Sequence, residues 1–149
     1  MSPEGLSLIG PLALKTITDR WSPDAIGGLT LGADPITYAI AYTSASTPHP
    51  LRAFTVRKEA KIHGTARLIE GPFQTGDRVV VIEDVITTGA SALRAIDAIQ
   101  LAGGTVIGVL ALVDREEGGK ETIEHSGITV SALVRAHDIL AIMAPASHK

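Results

Sequence analysis

The sequence predicts an α/β protein with an open, largely parallel twisted sheet flanked by helices. Apolar segments with the length of strands alternate with segments of helical periodicity along almost the whole chain. The predicted strands are apolar throughout, which is typical of parallel strands covered by helices on both faces. With 149 residues, of which 45% are hydrophobic, the chain is long enough to bury a core, and we expect one domain over residues 1–149.

The helices are predicted from apolar residues that recur every three or four positions. The first covers residues 3–20, with Ser2 as its N-cap and Pro3 in its first turn. Further helices are predicted over residues 34–46, in "SALRAIDAIQLAGG", in "KETIEHSG" and, as a short helix or an irregular end, from residue 135. Strands are predicted in "AIGGLTLGADP", in "LRAFTVRK", near residues 67–69, at 78–83, in "TVIGVLALVDR" and in "ITVSALV".

The composition argues against several classes of protein. A formal net charge of −3 is unlike the basic footprint of a general nucleic-acid binder. The chain has no cysteine, which excludes a disulfide framework and a cysteine-based zinc site. We find neither a membrane-spanning apolar segment nor a signal peptide, so we expect a cytoplasmic protein. Four of the histidines have no partner at metal-ligand spacing: His49, His125, His137 and His148. No direct metal ligands are predicted.

Polar clusters follow four of the predicted strands. In open parallel sheets, ligands bind beyond the carboxyl ends of the strands, because the connecting loops meet there. We therefore expect these four clusters to converge on one face of the molecule: "GLTLGADP", "RKEAKIHG", "EDVITTGAS" and "DREEGG".

The segment "EDVITTGAS" has the features of a sugar-phosphate site. Its small residues, Thr87 to Ser91, join a strand to a helix N-terminus, where backbone N–H groups and the helix dipole favour a phosphate. It lacks the lysine and the spacing of a Walker A loop. Glu83 and Asp84 can accept hydrogen bonds from ribose hydroxyls or hold Mg²⁺ indirectly. The alternative is an ordinary strand–turn–helix junction with Ser91 as the N-cap.

The segment "RKEAKIHG" concentrates positive charge in an acidic protein. Its potential cations are Arg57, Lys58, Lys61 and His63. One interpretation is a solvated charged loop. The other is a loop that closes on an anion with more charge than a single phosphate, such as pyrophosphate.

These motifs together resemble those of a known enzyme family. "VVVIEDVITTGAS" is similar to the phosphoribosyl-diphosphate (PRPP) binding motif of type I phosphoribosyltransferases, and "RKEAKIHG" resembles the catalytic loop of orotate phosphoribosyltransferases. The resemblance extends over essentially the whole chain, with "GGLTLGADP" as the pyrophosphate loop and "VDREEGG" after the next strand. It implies the Rossmann-like fold of that family.

The resemblance also implies roles for individual residues. Glu83 and Asp84 would bind the ribose hydroxyls, and Thr87 and Arg115 would contact orotate. Lys61 and His63 would be catalytic, with Lys61 meeting charge as it develops on the leaving group. All PRPP contacts implied by the resemblance are Arg57, Lys58, Lys61, His63, Glu83, Asp84, Val85, Ile86, Thr87, Thr88, Gly89, Ala90 and Ser91.

The implied reaction converts orotate and PRPP to orotidine 5′-monophosphate and pyrophosphate, a step of pyrimidine biosynthesis. In the family, Mg²⁺ accompanies PRPP, and a homodimer shares its active sites because the loop with Lys61 and His63 reaches into the neighbouring subunit. Two alternatives stay open: transfer to another base, or a non-catalytic PRPP-binding regulatory module. Arg115 argues against a neutral purine unless it forms only a surface salt bridge, and Lys61 with His63 argues against a sensor.

Two departures from the family pattern affect these expectations. Some members carry a Tyr-Lys pair in the pyrophosphate loop, where this chain has Leu31 to Asp34, so that contact would come from the backbone or from elsewhere. Family members also usually begin with some tens of residues that form a hood over the base. The first predicted helix here corresponds to the segment that follows the hood.

Overall fold

The sheet predicted from the sequence is present. The computed structural model describes residues 1–59 and 68–143. Six strands form one sheet in the order β3-β2-β1-β4-β5-β6. Their bounds are β1 Ala25–Leu29, β2 Arg52–Val56, β3 Ile69–Glu70, β4 Arg78–Ile86, β5 Thr105–Asp114 and β6 Val130–Arg135. The helices are α1 Pro3–Arg20, α2 Asp34–Ser44, α3 Ala90–Leu101, α4 Gly119–Glu124 and α5 Ala136–Met143.

The strand order reverses between β1 and β4. From β1 the chain builds outward through β2 to β3, and it then returns to place β4 on the other side of β1. All neighbouring strands are parallel except β3, which pairs antiparallel with β2 at one edge. A reversal of this kind opens a crevice at the carboxyl ends of the two central strands, because the following loops diverge to opposite sides.

Helices cover both faces of the sheet. On one face α1 and α2 bury residues such as Ile17 and Ile40 against Ile82 of β4. On the other face α3 and α4 bury residues such as Ile99 against Val81. Val81 and Ile82 are neighbours whose side chains point to opposite sides, as the pleat of a strand requires, and both are fully buried. The two-sided core explains why the strands are apolar throughout.

The ends of several elements differ from the predicted ones. Ser2 caps α1 as expected and accepts a hydrogen bond from the backbone N–H of Gly5 at 3.1 Å. The prediction that β4 ends at Glu83 was wrong, since the strand continues to Ile86 in register with β5. Ser91 is not the N-cap of α3, because the helix begins at Ala90 and Gly89 occupies the cap position with φ of 83°.

No helix in the part of the chain that the structure describes could cross a membrane. None of its helices combines the necessary length with the necessary apolar character.

Candidate active site

The crevice between β1 and β4 brings together two of the predicted polar clusters. The loop after β1 contains Gly32, and a Cβ atom at this position would overlap the carboxylate of Asp84 on β4. Only glycine allows the loop backbone to approach the acid so closely. The loop predicted to face pyrophosphate therefore lies directly against one of the two predicted ribose-binding acids.

The turn from β4 to α3 has the shape of an anion site. Gly89 adopts a left-handed conformation, and the first N–H groups of α3 follow it. Glu83 and residues 85–92 line a small cavity of about 50 Å³ at this turn. Gly119, the first residue of α4, packs so closely on the turn that a Cβ atom there would overlap the carbonyl oxygen of Thr87. The segment predicted to hold a phosphate thus packs against the first residue of α4.

Glu83 is a buried carboxyl group at the edge of this cavity. It is only 5% exposed, and its Oε1 atom has no hydrogen-bond partner among residues 1–59 and 68–143. Burial, and to a lesser degree the negative charge of Asp84, raises its pKa from 4.5 to about 7. An unpartnered acceptor in a polar cavity is costly unless a ligand or water donates to it.

Asp84 lies on the other side of the strand from Glu83. It is partly exposed, and its Oδ1 atom accepts a hydrogen bond from the backbone N–H of Val85 at 2.8 Å. The two acids, adjacent in sequence, therefore face different loops: Glu83 lines the phosphate-loop cavity, and Asp84 touches the loop that contains Gly32.

The cationic segment after β2 begins beside the same crevice. Arg57 and Lys58 line a cavity of about 800 Å³ together with Thr30 and Leu31 of the loop after β1. The Arg57 guanidinium forms an ion pair with Glu70 of β3, with Nη1 and Oε1 2.9 Å apart. The other two predicted cations, Lys61 and His63, lie outside the described residues.

Arg115 follows β5, and its backbone contacts the end of β4, just before the turn to α3. Its N–H donates to the carbonyl of Ile86 at 2.9 Å. Its side chain is half exposed and pairs with Glu117 at 2.8 Å. The surface salt bridge considered for this residue is therefore present, and the guanidinium stands at the same end of the sheet as the other clusters.

Some contacts at this site gave no signal in the sequence. The Arg94 guanidinium on α3 donates to the carbonyl of Lys58 at 2.8 Å and so ties the start of the cationic segment to the helix behind the phosphate loop. Asp34, at the start of α2, accepts a hydrogen bond from Thr55 at 3.0 Å. Both contacts join segments that are distant in the chain, so neither pairing leaves a local pattern, although Asp34 itself lies in the predicted pyrophosphate loop.

The described residues offer no metal centre made by protein ligands alone. They contain no group of three or more His, Cys, Asp or Glu side chains that could hold a metal ion. Glu83 and Asp84 are two adjacent carboxylates beside the crevice.

Comparison with known proteins gives consistent relatives. No model of a protein family matches the chain. An orotate phosphoribosyltransferase of Aquifex aeolicus is 53% identical over 138 residues, which are 93% of this chain and 75% of that protein. The enzymes of the same name from Mycobacterium leprae and Tropheryma whipplei are each 47% identical over 133 residues, or 89% of this chain. The chain spans 72% of the first and 62% of the second.

Solved structures agree with these relatives. The orotate phosphoribosyltransferase of Mycobacterium tuberculosis in complex with PRPP superimposes with a TM-score of 0.82 at 43% identity, over 93% of this chain and 77% of that one. The enzyme from Aeropyrum pernix gives a TM-score of 0.81 at 31% identity, over 95% of this chain and 77% of that one.

The fold, with its loops gathered at the crevice between β1 and β4, is that of a type I phosphoribosyltransferase. Given relatives that share about half of its residues over most of its length, the chain belongs to the orotate phosphoribosyltransferase family and is a glycosyltransferase-type enzyme.

Proposed function

We propose that this chain transfers the ribose 5-phosphate of PRPP to orotate and releases pyrophosphate. The observation that carries the proposal is the close approach of the loop at Gly32 to Asp84 across the crevice, beside the phosphate-binding turn. In this arrangement the loop at Gly32 would face the leaving group and the turn before α3 would face the 5′-phosphate. Glu83 and Asp84 lie between them. The same reaction is named for the relatives, and one of them has been crystallised with PRPP.

The phosphoribosyl group would lie along β4 and the turn after it. Backbone N–H groups and hydroxyls of Thr87 to Ser91 would hold the 5′-phosphate, with Val85 and Ile86 shaping the approach from β4. The free Oε1 atom of Glu83 would accept a hydrogen bond from one ribose hydroxyl, and Asp84 would accept from the other. A ribose ring suits this pair because it presents two adjacent hydroxyl donors between two acceptors.

Departure of pyrophosphate would depend on the cationic segment. The C1′–oxygen bond loosens before the pyrimidine nitrogen attacks, so negative charge grows on the leaving group as positive charge grows on the ribose. Arg57, Lys58, Lys61 and His63 would neutralise the leaving group, and exclusion of water would protect the ribosyl centre from hydrolysis. Lys61 is the residue to which we assign the largest effect on rate.

Mg²⁺ fits this site as a partner of the substrate. Carboxylate oxygens are the ligands that a hard cation prefers, and Glu83 and Asp84 supply them, but the described residues hold no third acidic ligand. We therefore propose that the ion is held mainly by PRPP oxygens and that these two side chains contribute indirectly, through water. When bound, it would neutralise charge on the pyrophosphate.

Orotate would be recognised by Thr87 and Arg115. The base carries a carboxylate, and the Arg115 guanidinium can form a bidentate pair with it. In the present structure that guanidinium is held by Glu117, and both side chains are about half exposed. Because exposed ion pairs contribute little free energy, Arg115 can exchange Glu117 for the substrate carboxylate at little cost.

We also propose that residues 1–149 act as one domain and that two copies form a homodimer with shared sites. The proposal is supported by the family and by the position of Arg57 and Lys58, the first cations of the segment, beside the loop after β1. A sedimentation experiment would give twice the mass of the chain. A monomeric chain with full activity would contradict it.

The decisive assay is PRPP-dependent loss of orotate absorbance in the presence of Mg²⁺, with uracil as the matched base that lacks the carboxylate. Turnover of orotate but not of uracil supports the proposal. Binding of PRPP–Mg²⁺ in a calorimeter without turnover of any base would instead indicate a regulatory module. Turnover of a different base would overturn the assignment of orotate while leaving the phosphoribosyl site intact.

A further inference from the structure

Hydrogen bonds fix the backbone of the turn after β5 on both sides of Arg115. The Arg115 side chain is half exposed and pairs with Glu117. The backbone N–H of Arg115 donates to Ile86, and the N–H of Glu116 donates to the Oδ1 atom of Asp114 at 2.8 Å. Asp114 is only 6% exposed. The backbone of residues 114–116 therefore sets the direction in which the Arg115 side chain leaves the turn.

Glu116 adopts a backbone conformation that needs support. Its φ angle is 58°, in the left-handed region, and it is the only non-glycine residue there among those that the structure describes. L-amino acids other than glycine, asparagine and aspartate rarely adopt it, because Cβ approaches the carbonyl oxygen. Contacts elsewhere must therefore hold the residue in this conformation.

The carboxylate of Glu116 makes those contacts with α5. It accepts a hydrogen bond from the backbone N–H of His137 at 3.1 Å, and its two oxygens lie 2.8 and 2.9 Å from the Nδ1 atom of the same residue. His137 is in the first turn of α5, where N–H groups have no partner within the helix. These hydrogen bonds lower the pKa of Glu116.

The imidazole of His137 also faces a carboxylate of its own helix. Its Nε2 atom lies 2.9 Å from Asp138, whose other oxygen accepts the backbone N–H of Arg135 at 3.1 Å. His137 thus joins two carboxylates, one on the turn after β5 and one on α5. The Asp138 contacts reach His137 and Arg135, the last residue of β6, whereas the Glu116 contact reaches the turn after β5.

We propose that Glu116 and His137 form a tether that positions Arg115 for the carboxylate of the base. The inference rests on the proposed function, since it assigns an indirect role to a contact behind a substrate-binding residue. Neither tether residue touches the substrate in this scheme. The tether holds Glu116 in its left-handed conformation, and the backbone of the turn then directs the Arg115 side chain toward the base.

A purely structural role predicts a different result. If the Glu116–His137 contact only caps α5, its loss would have the same consequences as loss of the Asp138 contacts on the same helix. Because both tether side chains are partly exposed, the contact contributes little to global stability. A positioning role instead predicts a selective loss of affinity for ligands that carry the carboxylate.

The test is calorimetric titration with orotidine 5′-monophosphate and with uridine 5′-monophosphate, which lacks the carboxylate. The proteins are wild type, His137→Ala, Glu116→Gln, the control Asp138→Ala, Arg115→Ala, and the double variant of Arg115 and His137. We expect His137→Ala to weaken orotidine 5′-monophosphate by about fivefold and uridine 5′-monophosphate by less than twofold. Glu116→Gln should act in the same direction, and Asp138→Ala should change neither affinity.

The double variant decides whether the effect passes through Arg115. In the absence of Arg115, removal of His137 should cause no further loss of affinity for orotidine 5′-monophosphate. Equal weakening of both ligands, an equal effect of Asp138→Ala, or additive losses in the double variant would each overturn the tether. If Arg115→Ala leaves the preference for orotidine 5′-monophosphate unchanged, the proposed base recognition fails first, and the tether with it.

Discussion

Replacement of Glu83 by Gln should make the folded protein more stable at neutral pH but not at acidic pH. The pKa of Glu83 is about 7 in the folded protein, against an ordinary value of 4.5. Well below pH 4.5 the group is protonated in both states and has no effect on unfolding. Between pH 4.5 and 7 the unfolded chain loses the proton while the folded protein keeps it, so the free energy of unfolding falls as pH rises.

The size of this loss follows from the two pKa values. Each unit of pKa corresponds to about 1.4 kcal/mol, so the difference between 4.5 and about 7 amounts to about 3 kcal/mol above pH 7. Gln has nearly the same shape and no charge at any pH. We therefore expect Glu83→Gln to match the wild type at pH 4.5 and to exceed it by about 2–3 kcal/mol at pH 8.

Urea unfolding of both proteins, followed by circular dichroism at pH 4.5, 6, 7 and 8, measures this difference directly. Taking the difference removes the contributions of other titrating groups, which the two proteins share. Asp84→Asn is the matched control, and it should keep most of the wild-type pH dependence because burial is the larger cause of the raised pKa. A difference between wild type and Glu83→Gln that is the same at pH 4.5 and 8 would refute the reasoning.

Two further predictions concern the crevice, and a third concerns a buried ion pair at the other end of the sheet. Gly32→Ala should reduce PRPP affinity at least tenfold with little effect on the melting temperature, because the added Cβ displaces the Asp84 carboxylate; unchanged affinity by calorimetry would show that the loop can move aside. Lys61→Ala should lower kcat by at least about a hundredfold, and a change within threefold in the orotate absorbance assay would remove this residue from the mechanism. Asp77→Asn should cost about 2–4 kcal/mol in urea unfolding, since Asp77 is 5% exposed and pairs with Arg52 at 2.6 Å; a loss below 1 kcal/mol would contradict its role as a buried ion-pair partner.

The order of strands and helices could be read from the sequence because it depends on local apolar patterns. The end of β4 could not. Two adjacent acids suggest that a buried strand has ended, since buried charge is costly. Strand pairing, however, depends on backbone groups, and β4 continues to pair with β5 through Glu83 and on to Ile86. The cost is met at Glu83 by a raised pKa and not by ending the strand.

The contiguous segments of the candidate site could also be proposed from the sequence. The phosphate-binding turn and the cationic segment each place their functional groups within a few residues, so residue type and spacing carry the signal. The supporting contacts were not readable, because they join distant segments. Arg94 to the carbonyl of Lys58 and Glu116 to His137 have no local pattern. Arg115 could be proposed from the motif after β5, but its pairing with Glu117 depends on side-chain conformation, which the sequence does not show.

The reversal of strand order at β1 and β4 also has a consequence for how the chain folds. β4 and β5 are joined through α3 alone, whereas β1 must pair with β4 across the whole of α2, β2 and β3. Contacts between distant segments form late, since closing the longer loop costs more entropy. We expect the β4–α3–β5 unit, which includes the phosphate-binding turn, to form early. The loop after β1, which would face the leaving group, would join this unit only when β1 pairs with β4. The crevice would therefore be completed late in folding.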